Sequence, residues 1–179
     1  MTNSELLSAT TGLSLRDSVM FLVRRGSMDT NATTEKKDDG KGRVKISLDQ
    51  ISDFEFRVKI GEGVQDFILD EPPPVGKGAG PSPSQLLATA VGGCLSASFL
   101  FCARKLRMDL EGIHTDISVS HVRNEKGRLR IGKIDVDIQP RIAAPDDQKM
   151  QRCLDLYEDF CVVTQSVRNG IDISVNVRR

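Results

Sequence analysis

The stretch Gly80–Arg107, GPSPSQLLATAVGGCLSASFLFCARKLR, decides how the rest of the chain can fold. It opens on turn residues, Gly80-Pro81-Ser82-Pro83. Pro is tolerated in the first helical turn, and Ser82 or Ser84 can cap the free N–H groups there. From Leu86 to Cys102 no residue is charged, and the run closes on Arg104, Lys105 and Arg107, which suit the negative end of a helix dipole. A helix apolar nearly all round is a buried helix. Its middle reads Gly92-Gly93-Cys94, although each Gly costs a helix interior about 1 kcal/mol relative to Ala. Two glycines beside a thiol point to close backbone approach by another element, or to room for a substrate at the sulfur. The run is shorter than the ~20 apolar residues of a membrane span and is interrupted by Thr89, Ser96 and Ser98. It is expected to serve as the core helix of a soluble domain, with no membrane partner.

Outward from this helix the pattern changes to period two. Val44, Ile46 and Leu48 alternate with polar residues, as do Phe54, Phe56, Val58 and Ile60; Val64, Phe67 and Leu69 follow more loosely. These are three half-buried strands of an antiparallel meander. Glu71–Gly80 is a Pro/Gly loop that leads into the helix. After it, Ile113–Val122 and Leu129–Ile138 alternate around a turn at Asn124–Gly127, and Pro140 is expected to end the second strand. Ala144–Phe160 reads as helix, with Met150, Cys153, Leu154 and Tyr157 on a core face. Cys161–Arg168 is a further short helix or turn, Asn169-Gly170 a turn dipeptide, and Ile171–Val177 a final alternating strand. Runs of strands separated by helices predict an α+β fold.

Residues 1–42 read as an N-terminal extension. Ser14–Arg25 has amphipathic helical spacing, and Gly26–Gly42 has the polar, charged composition of a linker. Residues 43–179 form the expected domain. The 179 residues carry 25 basic and 25 acidic side chains, so the zero net charge implies no nucleic-acid or anionic-membrane partner. The start of the chain lacks a basic segment followed by an apolar one, which argues for a reducing cytoplasm. There, a cysteine pair is catalytic or metal-binding before it is structural. The four cysteines, Cys94, Cys102, Cys153 and Cys161, are spaced unlike zinc ligands, which usually lie two to four residues apart. The two histidines, His114 and His121, fall on a strand.

The second decisive stretch is Cys161–Val177, CVVTQSVRNGIDISVNV. Cys161 stands at the start of a helical turn, where free N–H groups favour a thiolate, beside Thr164 and Ser166 and near Arg168. GPSPSQLLATAVGGC followed far downstream by this segment resembles the OsmC/Ohr superfamily, the osmotically inducible and organic hydroperoxide resistance proteins. The resemblance covers Arg43–Val177. It implies an α+β, OsmC-like fold with antiparallel sheets packed around the long central helix, in an intertwined homodimer with the thiols at the subunit interface. Ala90, Gly92, Gly93 and Ala97 would then be small to let helices approach.

The resemblance further implies a thiol-dependent peroxidase acting in oxidative-stress defence. Cys94 would be the peroxidatic cysteine, attacking a small-molecule organic hydroperoxide or H2O2 and becoming a sulfenic acid. Cys161 would resolve it to a disulfide, which an external thiol or lipoyl-type reductant then reduces. That chemistry needs no metal or organic cofactor. The chain departs from the family pattern in places. The helix start reads Pro83-Ser84-Gln85, with no acid where members carry Glu. Arg57 and Lys77 answer only by rough position to the family's thiolate-holding Arg, and Val162 follows Cys161 where many members have Pro. Without that cation a buried Cys94 keeps a high pKa. This motivates an alternative, a non-catalytic dimer that binds a small apolar or acyl-like ligand in the same pocket.

Overall fold

The computed structural model describes residues 43–179; the extension with its Ser14–Arg25 helix lies outside the described residues. Nine elements follow in order: β1 Ser47–Ser52, β2 Glu55–Lys59, β3 Phe67–Leu69, α1 Pro83–Lys105, β4 Leu110–Arg123, β5 Leu129–Ile142, α2 Asp147–Leu154, a 3-10 turn Tyr157–Phe160, and α3 Val162–Asn169. They form a mixed α/β fold with two antiparallel sheets, β1-β2-β3 and the ribbon β4-β5.

Helix α1 begins where its sequence specifies. Ser82 is the N-cap: its hydroxyl accepts from the Gln85 N–H at 3.3 Å, while Gln85 Oε1 accepts from the Ser82 N–H at 2.8 Å. This reciprocal box satisfies two of the helix's free donors. Arg104 and Lys105 close the last turn. The helix is buried along one face only, through Ala88, Val91, Gly92, Leu95, Ser98, Phe99, Cys102 and Ala103. The opposite stripe, Ala90, Gly93, Ala97 and Phe101, is exposed although it is apolar. The all-round burial expected from composition is therefore half realised within one chain.

The buried face lies on the β4-β5 ribbon. Ile113, Thr115 and Val119 of β4 and Ile134, Val136 and Ile138 of β5 turn inward, while Asp116, Ser118, Asp135 and Asp137 face out. At Gly92 α1 meets β4 closely, since a Cβ there would collide with the Ile117 side chain. Gly93 has open space on its side. The two glycines thus have different reasons: Gly92 admits a strand rather than a helix, and Gly93 borders the bare stripe.

The ribbon outruns its sequence boundaries. Pro140 pairs with Ile113, and β5 continues to Ile142. Both strands of a two-stranded ribbon are edges, where a missing N–H need not break the ladder. The Ala144–Phe160 helix is shorter than its pattern. Asp146 caps α2 by accepting from the Lys149 N–H at 3.0 Å, and the helix ends at Leu154 before the 3-10 turn. Cys153 is fully buried and Met150 and Tyr157 pack on the same cluster, but Leu154 is 47% exposed and is not a core residue.

Ahead of α1, the buried Asp70 carboxylate organises the Pro/Gly loop by accepting from the Glu71, Lys77 and Ala79 N–H groups at 2.8, 3.0 and 3.0 Å. These donors, Ala79 first, outweigh burial and hold its pKa below the usual carboxylate value. At the other end, Ile171–Val177 is not a strand in the single chain. It pairs with neither described sheet, and Ile173, Val175 and Val177 are all more than 80% exposed. An extended segment with no edge beside it cannot form a ladder.

Candidate redox site

Two cysteines far apart in sequence meet under α1. Cys94 lies mid-helix, on the boundary between the buried face and the bare stripe, and is half-buried. Cys161 is fully buried and packs with Val91 and Leu95 of α1; Cys94, Ile134, Val136, Ile138, Tyr157 and Val163 complete the cluster. The two thiols lie close enough to shift each other's titration.

Local sequence puts Cys161 there. The 3-10 turn ends at Phe160, the Cys161 N–H bonds the Glu158 carbonyl at 3.0 Å, and Cys161 becomes the N-cap of α3. Its Sγ accepts from the Thr164 N–H at 3.4 Å and lies 2.9 Å from the Thr164 hydroxyl. As a thiol Cys161 donates to that hydroxyl; as a thiolate it accepts from it. Gly170, at φ 76° and ψ 154°, takes a positive-φ conformation open to glycine at the helix C-cap, where Asn169-Gly170 announced a turn.

The electrostatics of the pair are unequal. Burial pushes the Cys94 thiol up and the adjacent Cys161 sulfur adds to the rise, against smaller opposing contributions from the Val163 amide and the Ser98 hydroxyl. Burial also acts on Cys161. There it is outweighed by the Cys94 thiol, the Thr164 hydroxyl and the Thr164 and Val163 amides, which together bring Cys161 below its ordinary value. Of the two thiols, Cys161 is therefore the more easily ionised.

The candidates for the family's cation and acid serve elsewhere. Gln85 closes the helix-capping box. Lys77 reaches Ser52 at 3.4 Å and Asp53 at 3.8 Å. Arg57 is exposed on β2, in register with Asp49 and Ile68. The polar neighbours of the Cys94 sulfur are Cys161, Val163 and Ser98. A cation does stand near the site, on the Cys161 side: Arg168 of α3 pairs with Glu158 at 2.7 Å. Both line a cavity of about 370 Å3 whose apolar wall includes Val91, Leu95, Ile134, Val136 and Ile138.

Cys102 and Cys153 also meet. Cys102 donates to the Cys153 carbonyl at 3.8 Å and Cys153 to the Phe99 carbonyl at 3.9 Å, both inside the cluster around Phe99. Burial, with Cys102 alongside, raises the Cys153 thiol to about 12. This pair was readable from spacing, because Cys94–Cys102 and Cys153–Cys161 are both eight residues apart. Two segments running in opposite directions then bring the cysteines together at two levels, ~12 Å apart along α1. The Glu158–Arg168 pair and the β5 wall had no comparable signal.

The OsmC-like protein family model matches residues 76–176, a span that holds α1, the ribbon and both cysteines of the pair. The chain belongs to the OsmC-like protein family. No curated protein matches it significantly. Among solved structures, an OsmC-like protein of unknown function from Vibrio cholerae is similar over 69% of this chain and 92% of its own, at 16% identity and TM-score 0.61. An OsmC-like protein from Mycoplasma pneumoniae is similar over 72% and 89%, at 14% identity and TM-score 0.60. The organic hydroperoxide resistance protein OhrB of Bacillus subtilis is similar over 73% and 93%, at 21% identity and TM-score 0.52. At these identities the likeness establishes the OsmC-like fold alone. α1 is long and apolar enough to cross a membrane by length and composition, but its buried face is taken up by this chain's own ribbon and helices.

Proposed function

We propose that this OsmC-like chain is a thiol-dependent peroxidase that reduces organic hydroperoxides through Cys94 and Cys161, in cytoplasmic oxidative-stress defence. The observation that carries the reading is the meeting of two thiols, 67 positions apart by their residue numbers, beside a cavity with one aliphatic wall. One thiolate attacks an oxygen of ROOH, the O–O bond breaks, and ROH leaves after taking a proton. The resulting sulfenic acid is attacked by the second sulfur; an S–S bond forms and water leaves. An external dithiol or lipoyl-type reductant returns both thiols and is itself oxidised to a disulfide. The cavity's aliphatic lining suits an alkyl hydroperoxide better than H2O2.

The working unit in this reading is a homodimer. Three unpartnered apolar features of the single chain support it: the Ala90/Gly93/Ala97/Phe101 stripe, the open Val44, Ile46 and Leu48, and the unpaired Ile171–Val177 segment. A second copy can supply a helix for the first and a strand edge for the last. Light scattering at micromolar concentration is expected to give twice the chain mass, and a monomer refutes the dimer.

The test of activity is turnover with a dithiol reductant. Wild-type protein is expected to consume cumene hydroperoxide faster than H2O2 and to yield an intramolecular Cys94–Cys161 disulfide by mass spectrometry. Oxidation beyond sulfenic acid without a disulfide, or a Cys94–Cys102 pair, refutes the reading. The raised Cys94 thiol, with no cation among its polar neighbours in the described residues, favours the second reading: a dimer binding a small apolar or acyl-like ligand without turnover. Tight binding of an alkyl alcohol with no peroxide consumption would support that one.

A further inference from the structure

We infer that Glu158 is the positioning residue for Cys161. Its carbonyl and its carboxylate, with Arg168 as counter-charge, hold the Cys161 segment on α1, so that the Cys94–Cys161 disulfide closes before a second peroxide reaches Cys94. This rests on the peroxidase reading above, with Cys94 as the attacking thiol.

The first observation is how many contacts one residue makes. Cys161 is the single residue between the 3-10 turn and α3. The Glu158 carbonyl accepts from the Cys161 N–H at 3.0 Å and from Gln165 Nε2 at 3.3 Å. The Glu158 carboxylate takes Arg168 Nη1 at 2.7 Å. Gln165 and Arg168, at i and i+3 of α3, share one face of it. Glu158 therefore holds the N-cap of α3 and two successive turns of the helix behind it. Turning α3 about its own axis, which would swing Cys161 off α1, breaks the two side-chain contacts.

The second observation is that this clamp is tied to the helix that carries Cys94. Tyr157, next to Glu158, meets Phe99 of α1 edge-on, with ring centroids 5.7 Å apart. It packs on both buried clusters, the one around Phe99 and Cys102 and the one that holds Cys161 with Cys94. Phe99 lies beyond Cys94 by ~7.5 Å along α1. One helix thus carries both the reacting thiol and the footing of the segment that must answer it.

The third observation is the difference in access. Cys161 is 0% exposed, whereas Cys94 is half-buried, so a peroxide that meets Cys94 once can meet it again. The Cys94 thiolate bonds the distal oxygen of ROOH, the O–O bond breaks, and the alkoxide leaves as ROH with a proton from water. The Cys161 thiol then attacks the Cys94 sulfenic sulfur. An S–S bond forms, and the hydroxyl leaves with the thiol proton as water. In competition, a second ROOH gives an oxygen to the sulfenic sulfur, which becomes a sulfinic acid, and a second ROH leaves. Closure needs the two Cα atoms about 4.4–6.8 Å apart. The share of protein that closes depends on how long Cys161 stays facing Cys94, and the Glu158 contacts set that time.

The test treats full-length wild type, Glu158→Gln, Arg168→Gln and the charge swap Glu158→Arg/Arg168→Glu with rising cumene hydroperoxide. Mass spectrometry then counts disulfide against Cys94 sulfinic acid. Glu158 and Arg168 are 42% and 56% exposed, so each single variant is expected to raise the sulfinic share about two- to fivefold. The swap is expected to return it toward wild type. The chain has one tyrosine and no tryptophan, so Tyr157 emission reports on the clamp, and its change during closure is expected to slow by the same factor. The first step, read as dimedone labelling of Cys94 in a Cys161→Ser background, is expected to be the same with and without Arg168→Gln. A merely structural pair would lower the urea midpoint and leave the disulfide-to-sulfinic ratio alone. An unchanged ratio in both single variants overturns the positioning role and leaves the peroxidase reading intact, as does an equal slowing of the first step. No disulfide in oxidised wild type overturns both.

Discussion

Adjacent glycines in α1 give a sharp test of how the helix is packed, because substitutions at Gly92 and Gly93 share one intrinsic term. Each replaces Gly by Ala in a helix interior, which favours the folded state by about 1 kcal/mol. At Gly92 the new methyl meets the Ile117 side chain, and overpacking of this kind costs about 1–3 kcal/mol. Ile117 is 36% exposed and can yield in part, so the net effect of Gly92→Ala is a loss of about 0–2 kcal/mol. At Gly93 nothing stands within 4 Å of the added carbon. In an isolated chain Gly93→Ala therefore gains about 1 kcal/mol. Urea unfolding at equal protein concentration compares the two, and the gap between them is expected to be about 1–3 kcal/mol. Ile117→Ala should rescue Gly92→Ala and leave Gly93→Ala unaffected, since the clash is one pair of side chains. Equal ΔΔG values at the two positions, or no coupling with Ile117, would refute the close approach of α1 to β4. A dimer adds a second use: where a partner helix covers the stripe, Gly93→Ala becomes destabilising and weakens dimerisation, and a dilution series separates that from the fold term.

Three further outcomes are expected. Cys153 titrates near 12 when folded and near 8.5 when unfolded, so above pH 8.5 the unfolded chain holds fewer protons and stability falls as pH rises, by about 1.4 kcal/mol per unit. Cys153→Ala should flatten that alkaline slope in denaturant titrations run from pH 8 to 10, and an unchanged slope refutes the assignment. Asp70 is depressed when folded, so its contribution is complete above its unfolded value and lost as pH falls through its folded one; Asp70→Asn should melt earlier at pH 7, with a deficit that shrinks below about pH 4. Ser82→Ala removes the cap of α1 and should cost about 1 kcal/mol by urea unfolding, whereas Ser84→Ala, outside the capping box, should cost a few tenths at most.

How much of this was legible follows from which interactions are local. The start of α1 was readable because Pro, Ser and Gln at that spacing act on their own helix. The ribbon was readable because period two is a local signature, although its length was not: Pro140 stops a central strand but not an edge. The Ala144–Phe160 pattern hid a break after Leu154, since helical spacing survives a change from α to 3-10 turn. The Cys94–Cys161 meeting was carried by resemblance, which says nothing of the donors around either thiol. The contacts that lower Cys161 come from the Thr164 N–H and hydroxyl, which face it only once α3 starts at Val162. Asp70 was the clearest omission: an acid between a strand and a Pro/Gly loop gives no sign of being buried until three backbone donors converge on it.

The Ile171–Val177 segment shows where reading by period and reading by coordinates part company, and why both hold. Alternation at Ile171, Ile173, Val175 and Val177 specifies a strand with one apolar face. A strand also needs an edge to donate to and accept from, and among the described residues this segment pairs with neither sheet. Leaving four β-branched side chains in water forgoes about 1.5–3 kcal/mol each, so the sequence carries a cost that only pairing recovers. The β1-β2-β3 sheet has the complementary defect, an edge strand with Leu48 about half exposed and Val44 and Ile46 open just before it. Two open sheets and one unpaired segment are what the dimer proposed above would complete. Because α3 leads directly through Gly170 into that segment, the pairing that would complete the sheet also anchors the helix whose N-cap is Cys161.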